Sequence, residues 1–391
     1  MAMKDFMFYN PTRIYFGKDQ IKQIDRSIPK NAKVLILYGG GSVKKFGTFD
    51  RVVEALGNRQ WGEFGGIEAN PVFETLLKAV DQVKAESYNY LLAVGGGSVI
   101  DGTKFVAAAS VFEGDPIDIF GQGVGQGLPI KQALPFGTVL TLPATASEMN
   151  SGSVVTFHEK KAKISFGSSL TFPVFSILEP EMTFTLPARQ LANGVADGFV
   201  HTMENYLTLA LHADVQDRFS EAILKTFIDN APVYCDPDQA DYEAAANIMW
   251  ACTMALNGVA SRGNVGDWAT HALGHEVTVL NNTDHGRTLT PILLATMHVR
   301  RDGKHDKLVQ YGRRIWNIQD ENEELVIDKA IQKTAEFFES INMPTKLSQV
   351  GVNESDIDFL ITQLEKHKGQ KIGENGVQDL ATSRLIYQTA L

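Results

Sequence analysis

Tyr90-Leu91-Leu92-Ala93-Val94-Gly95-Gly96-Gly97-Ser98 carries an unbroken apolar run straight into three glycines and a serine. Apolar residues without polar alternation are the pattern of a parallel strand covered on both faces. The glycines let the backbone turn sharply and approach a ligand, and VIDGTKFVAAASVF then continues with helical apolar spacing. The same device occurs upstream, where Lys33-Val34-Leu35-Ile36-Leu37-Tyr38 opens into Gly39-Gly40-Gly41-Ser42 and a helix expected around Phe49–Leu56. Between the copies, PVFETLLKAVDQVKAES reads as an amphipathic helix. Strand and helix patterns that alternate in this way predict a doubly wound parallel sheet with right-handed crossovers.

Ligands of such sheets bind beyond the carboxyl ends of the strands, where both GGGS turns fall. A helix N-terminus behind a glycine turn presents unpaired N–H groups and a positive dipole end to a pyrophosphate. A single GGGS turn is equally well explained as a tight connection, but two in successive strand–helix units favour a dinucleotide. The common G-x-G-x-x-G fingerprint, with an acid roughly 20 residues later, is absent.

Further along, Thr138-Val139-Leu140-Thr141-Leu142 reads as a third strand that ends at Pro143 and opens into Ala144-Thr145-Ala146-Ser147-Glu148. Those hydroxyls suit either phosphate and ribose oxygens or a helix cap. Ile164–Phe166 and Val174–Leu178 are further strand candidates. At the start, DFMFYNPTRIYF (5–16) reads as a short edge strand or hairpin, paired within its own sheet or across a dimer interface. After about Leu186 the strand signal stops, and FSEAILKTFIDNAPVY, AANIMWACTMALNGVA, ELVIDKAIQKTAEFFESI and ESDIDFLITQLEKHK read as helices. The 391 residues exceed the ~250–300 that one core usually serves. We therefore expect an α/β domain over 1–185 and an all-helical domain over 186–391, with the reaction centre in the cleft between them.

A second stretch carries the chemistry. HALGHEVTVLNNTDH (271–285) holds three of the nine histidines. His271 and His275 lie four apart, on one face of a helix, and the turn formers before His285 let a third imidazole swing back toward them. Asp197 and His201, in NGVADGFVHTMENY, repeat the four-residue spacing. A carboxylate with two or three neutral imidazoles suits Fe2+ or Zn2+, provided the helices meet.

A net charge of −10 and a pI near 5.4 argue against a nucleic-acid or anionic-membrane surface. Two cysteines, Cys235 and Cys252, are too few for a disulfide framework and fit a reducing compartment. No stretch approaches the ~18 apolar residues of a membrane span, and the N-terminus lacks a secretory core, so a cytoplasmic protein is expected.

Taken together, FYNPTRIYFG, LYGGGSVKK, AVGGGSVIDGTK, TLPATASE, ADGFVHTMENY and GHEVT…DHG resemble the iron-dependent alcohol dehydrogenase family along essentially the whole chain. The similarity is to the branch of NADPH-using aldehyde reductases and butanol dehydrogenases. It implies a Rossmann-like α/β half, an all-α half of dehydroquinate synthase-like architecture, and a homodimer. It implies metal ligands at Asp197, His201, His271 and His285, with His275 as a catalytic or substrate-orienting residue. It places cofactor contacts at Gly39, Gly40 and Ser42, at Gly95, Gly96, Gly97 and Ser98, and at Asp101, Thr141, Thr145, Ser147 and Lys163. NAD-preferring relatives tend to carry an acid where Gly39 stands. A glycine there, with Lys44 and Lys45 nearby, leaves room for a 2′-phosphate and predicts NADP(H) over NAD(H). Two departures stand out: Asp284 before His285, where many members have proline, and TASE in place of TGSE.

The chemistry so implied is reversible hydride transfer between NADPH and a small, butanal-like aldehyde, with Fe2+ or Zn2+ as Lewis acid. A sugar-phosphate cyclase or polyol-phosphate dehydrogenase of similar two-half plan is the alternative. That chemistry needs basic residues converging on a phosphate or carboxylate, and only Arg262 and Arg287 lie near the metal motifs.

Overall fold

The computed structural model describes residues 2–391. The chain forms two compact units, one of Tyr9–Leu186 and one of Pro187–Leu391 joined by the residues up to Phe8.

In the first unit the strands are β1 (Arg13–Phe16), β2 (Lys33–Tyr38), β3 (Gln60–Phe64), β4 (Tyr90–Gly95), β5 (Phe136–Leu140), β6 (Gly152–Phe157), β7 (Ala162–Gly167) and β8 (Phe175–Leu178). Its helices are α1 (Ile24–Ser27), α2 (Ser42–Lys45), α3 (Thr48–Leu56), α4 (Phe73–Glu86) and α5 (Gly97–Ala109). Six strands make one sheet in the order β1-β8-β5-β4-β2-β3, parallel throughout. Strand β4, whose every residue is buried, and β2, buried from Val34 to Tyr38, lie inside it, as their apolar runs require. Val34, Ile36, Leu92 and Val94 pack on one side with Ile24, Phe49, Val52 and Leu56.

The strand order reverses at β2, with β3 on one side and β4 on the other. Tyr38 pairs with Val94, so the two glycine turns begin side by side at the switch point, where open α/β sheets bind ligands.

Several elements differ from the sequence reading. Of the alternatives over 5–16 the short edge strand forms, confined to β1, which lies at the sheet edge and pairs in parallel with β8 within the chain; Pro11, just before it, cannot donate to a ladder. Strand β5 starts and ends two residues earlier than expected, leaving Thr141 and Leu142 on the loop. Residues 164–166 belong not to the main sheet but to a separate β6–β7 antiparallel hairpin. Strand β3, QWGEF, was not foreseen, since its polar residues suit an edge and give no apolar run.

The second unit contains α6 (Ala188–Tyr206), α7 (Asp214–Tyr234), α8 (Tyr242–Ala255), α9 (Ala269–Asn281), α10 (His285–Val299), α11 (His305–Arg314), α12 (Glu323–Ser340), α13 (Ile357–Lys368) and α14 (Leu380–Ala390). It is helical as expected, save for a ladder of two-residue strands, β9 (Lys371–Ile372) and β10 (Gln378–Asp379), too short to leave a periodic signal. Helix α6 is buried almost throughout and packs against α7, α8 and α10, while α9 packs against α10 and α13. Gly286 lets α10 start hard against α6: a Cβ there would lie 2.5 Å from the Asn193 carbonyl oxygen. Among the described residues no helix is long and apolar enough to cross a membrane.

Candidate metal centre and glycine loops

The second unit gathers its histidines around one carboxylate. Asp197 and His201 sit one turn apart on α6, His271 lies in the first turn of α9, and His285 is the first residue of α10. The Nε2 atoms of His201, His271 and His285 stand 3.7, 3.6 and 3.8 Å from Asp197 Oδ1. These separations are too long for hydrogen bonds. They are close to the ~3.4 Å edge of a tetrahedron built from ~2.1 Å metal–ligand bonds. Donor atoms of Asp197, His201 and His271 all lie within 4.8 Å of one another.

The residues fit a divalent cation on a second ground. Asp197 Oδ1 and His271 Nε2 are buried and have no hydrogen-bond partner among the described residues. Leaving such atoms unsatisfied is costly, and a cation shared by both removes the cost. Burial alone would raise the Asp197 carboxyl, but His201, His285 and His271 hold it far below the usual range. Burial lowers His201 to about 4, so that imidazole is neutral and can donate its lone pair. Burial would lower His271 too, but Glu204 and Asp197 override it and push it up to about 9. Its proton must leave when a cation enters.

His275 lies one turn beyond His271. Its ring centroid is 5.0 Å from that of His285 and 6.3 Å from that of His271, and it is half-buried. It is less buried than Asp197, His201 and His271.

Three residues not singled out from the sequence support the set. Glu204, 2% exposed on α6, accepts the backbone N–H of Thr270 at 2.7 Å and of His271 at 3.2 Å, and pairs with His271 Nδ1. The signal was there: 197, 201 and 204 fall on one helical face. Arg189 joins Asn193 in fixing Asp284, whose Oδ2 accepts from Arg189 Nε at 2.8 Å and Asn193 Nδ2 at 3.0 Å. The departure at Asp284 therefore ties the start of α10, and with it His285, to α6.

In the first unit most of the cofactor candidates follow the carboxyl ends of β2, β4 and β5, whereas Asp101 lies within α5 and Lys163 on β7 of the separate hairpin. Gly41 has φ +94°, which only glycine adopts easily, and a Cβ on Gly40 would meet open space. In the second turn, Cβ atoms on Gly95 and Gly97 would collide with the Val99 and Thr145 side chains. These glycines thus serve internal packing as well as an open helix end. Ser42 is exposed, and Ser98 Oγ donates to the Ala69 carbonyl. Thr141 N donates to Gly95 O at 3.0 Å, and Thr145 Oγ1 accepts from Ser147 N at 3.1 Å.

Asp101 is turned inward. Its Oδ1 accepts from Ser147 Oγ at 2.5 Å and its Oδ2 from Val154 N at 2.9 Å, while its carbonyl accepts from Ser153 Oγ. One turn on, fully buried Lys104 donates to Asn150 Oδ1 at 2.9 Å and Gly152 O at 2.6 Å. Together they tie the 145–154 loop to α5. Lys163 Nζ donates to Asn70 Oδ1 at 3.1 Å. Lys44 is bound to Glu63 at 2.6 Å, so Lys45 is the less committed of that pair.

Comparison with known proteins accounts for both units. Residues 11–180 match the family model for iron-containing alcohol dehydrogenase, and residues 191–371 match that of the Fe-containing alcohol dehydrogenase family C-terminal region. The chain is 48% identical over 390 residues to the NADPH-dependent aldehyde reductase YqhD of Escherichia coli, covering 99% of this chain and 100% of that protein. It is 38% identical to the probable NADH-dependent butanol dehydrogenase 1 of Bacillus subtilis, covering 92% of each. A crystal structure of YqhD superposes with a TM-score of 0.97 at 47% identity over the full length of both chains. That of NADH-dependent butanol dehydrogenase A from Thermotoga maritima gives 0.93 at 34% identity, covering 100% of this chain and 99% of the other.

Proposed function

The chain belongs to the iron-containing alcohol dehydrogenase family, and from that premise we propose the reaction it runs: metal-dependent reduction of small, butanal-like aldehydes to primary alcohols by NADPH, and the reverse. The observation that supports it most is the convergence of three imidazole Nε2 atoms on Asp197 Oδ1. In this reading Asp197, His201, His271 and His285 hold one Fe2+ or Zn2+. The bound cation supplies Lewis acidity toward a carbonyl oxygen, and the nicotinamide supplies or accepts the hydride.

The chain's own groups do the rest. Asp197 contributes the one negative charge of the donor set, which keeps the site from carrying the full charge of the cation. Asp197, His201 and His271 are buried where α6, α9 and α10 pack together, which keeps bulk water from those donors. His275 passes a proton to the substrate oxygen as the carbonyl becomes an alcohol, so aldehyde, NADPH and one proton give alcohol and NADP+.

On the dinucleotide side, the amide-rich start of α5 receives the pyrophosphate. Gly39, the open space at Gly40, and Lys45 favour a 2′-phosphate over a bare hydroxyl. NADPH dependence is also what the name of the E. coli relative states, whereas the Bacillus relative is named for NADH. A homodimer belongs to the same reading.

The test loads protein purified without added metal with Fe2+ or Zn2+ and follows NADPH oxidation by butanal. Metal-dependent turnover that is absent from His271→Ala is expected. Turnover that survives chelation or this substitution would refute the metal role, and a kcat/KM favouring NADH would overturn the cofactor preference.

A further inference from the structure

Helix α9 begins without a cap of its own. The residue before it, Trp268, has φ +59° and a side chain that makes no capping hydrogen bond. The first amides of such a helix need an acceptor from elsewhere. Glu204 on α6 supplies it: Oε1 takes the N–H of Thr270 and of His271, while Oε2 faces His271 Nδ1. One carboxylate therefore grips the backbone and the ring of the same residue. The backbone of Glu204 adds a further tie, since its carbonyl accepts from Asp267 N at 3.0 Å.

We propose that Glu204 is the positioning residue of the metal centre, fixing the ring angle and tautomer of His271 so that its Nε2 lone pair faces Asp197 Oδ1. The proposal rests on the metal reading given above. An imidazole bonded to an acidic oxygen through Nδ1 must carry its proton there, which leaves Nε2 as the donor. A carboxylate in that place also strengthens the imidazole as a ligand, and removing such a partner typically weakens metal binding ~10–100-fold. His201 lacks this arrangement: its Nδ1 has no hydrogen-bond partner among the described residues.

Glu204→Gln separates this role from helix capping. Its amide oxygen can still cap α9, but its NH2 then meets Nδ1 and favours the tautomer whose proton sits on Nε2. Zn2+ affinity is measured by competition with a chromophoric chelator in the full-length protein, with far-UV circular dichroism and NADPH affinity as controls. The expected result is a 10–100-fold weaker Zn2+ dissociation constant with both controls unchanged, and a smaller loss in Glu204→Asp. Equal affinity in wild type and Glu204→Gln overturns the positioning role while leaving the metal reading intact. Wild-type protein that binds no Zn2+ overturns both. Should the Gln variant fail to fold, 15N-histidine NMR of the Zn2+-loaded wild type decides: His271 bound through Nε2 with Nδ1 protonated is expected, and coordination through Nδ1 refutes the proposal.

Discussion

Substituting Gly286 by alanine should damage the metal centre without touching any donor. An added Cβ would lie 2.5 Å from Asn193 O, 3.1 Å from its Cα and 3.2 Å from its carbonyl carbon. All three are backbone atoms of α6 and cannot swing aside as a side chain would. Reaching ordinary contact near 3.4 Å requires the start of α10 to retreat from α6 by about 0.9 Å. His285 adjoins Gly286, and its Nε2 already stands 3.8 Å from Asp197 Oδ1, so the retreat carries that donor out of reach. Metal sites tolerate departures of only ~0.2 Å in bond length. We expect Zn2+ or Fe2+ affinity to fall at least ~10-fold, as it does when a supporting partner is lost. Overpacking should also cost about 1–3 kcal/mol of stability. Chelator competition and denaturant unfolding of the metal-free protein measure the two effects separately. Gly303→Ala is the control, since the nearest atom to its Cβ is a flexible arginine nitrogen 4.0 Å away. Wild-type affinity in Gly286→Ala would refute the reasoning that α10 is held at its closest approach.

Asp101→Asn should act through the 145–154 loop. An amide cannot accept from both Ser147 Oγ and Val154 N, so one buried donor loses its acceptor at a cost of about 1–3 kcal/mol, read by chemical denaturation with NADPH affinity falling in parallel. An unchanged loop stability would show that Asp101 is not an anchor. Lys104 gives a pH test. Burial, opposed by Asp101 and Glu148, lowers its pKa from 10.5 to about 8. Between those values the unfolded chain binds more protons than the folded one, so the Lys104 contribution to stability rises with pH through that window. Relative to Lys104→Met, the protein should gain up to ~3 kcal/mol between pH 8 and 10.5, and a difference flat with pH refutes the shift.

Much of this was legible because the strongest signals are local. The two apolar runs ending in GGGS announced buried strands, and the i, i+4 pairs announced helix faces. What escaped was non-local. Strand β3 is amphipathic, earns its place only by pairing with β2, and has no apolar run of its own. Glu204 reads as one more acid on a helix, and only the start of α9, whose first amides it accepts, gives it a role. Asp101 was legible as a residue of the glycine-loop helix, but the partners that turn it inward, Ser147 and Val154, lie 46 and 53 residues away. The meeting of Asp197 with His271 and His285 likewise depended on helix packing that spacing cannot encode.

Every proposed metal donor is drawn from the Pro187–Leu391 part of the chain, and every proposed dinucleotide contact from the unit of Tyr9–Leu186. On the proposed reading, the groups that take the cation and those that take the nucleotide are contributed by separate units of one polypeptide. On that reading, a purified batch saturated with NADPH still stands idle without its cation, so specific activity would report first on what the cell or the column left among the histidines, and only then on the enzyme.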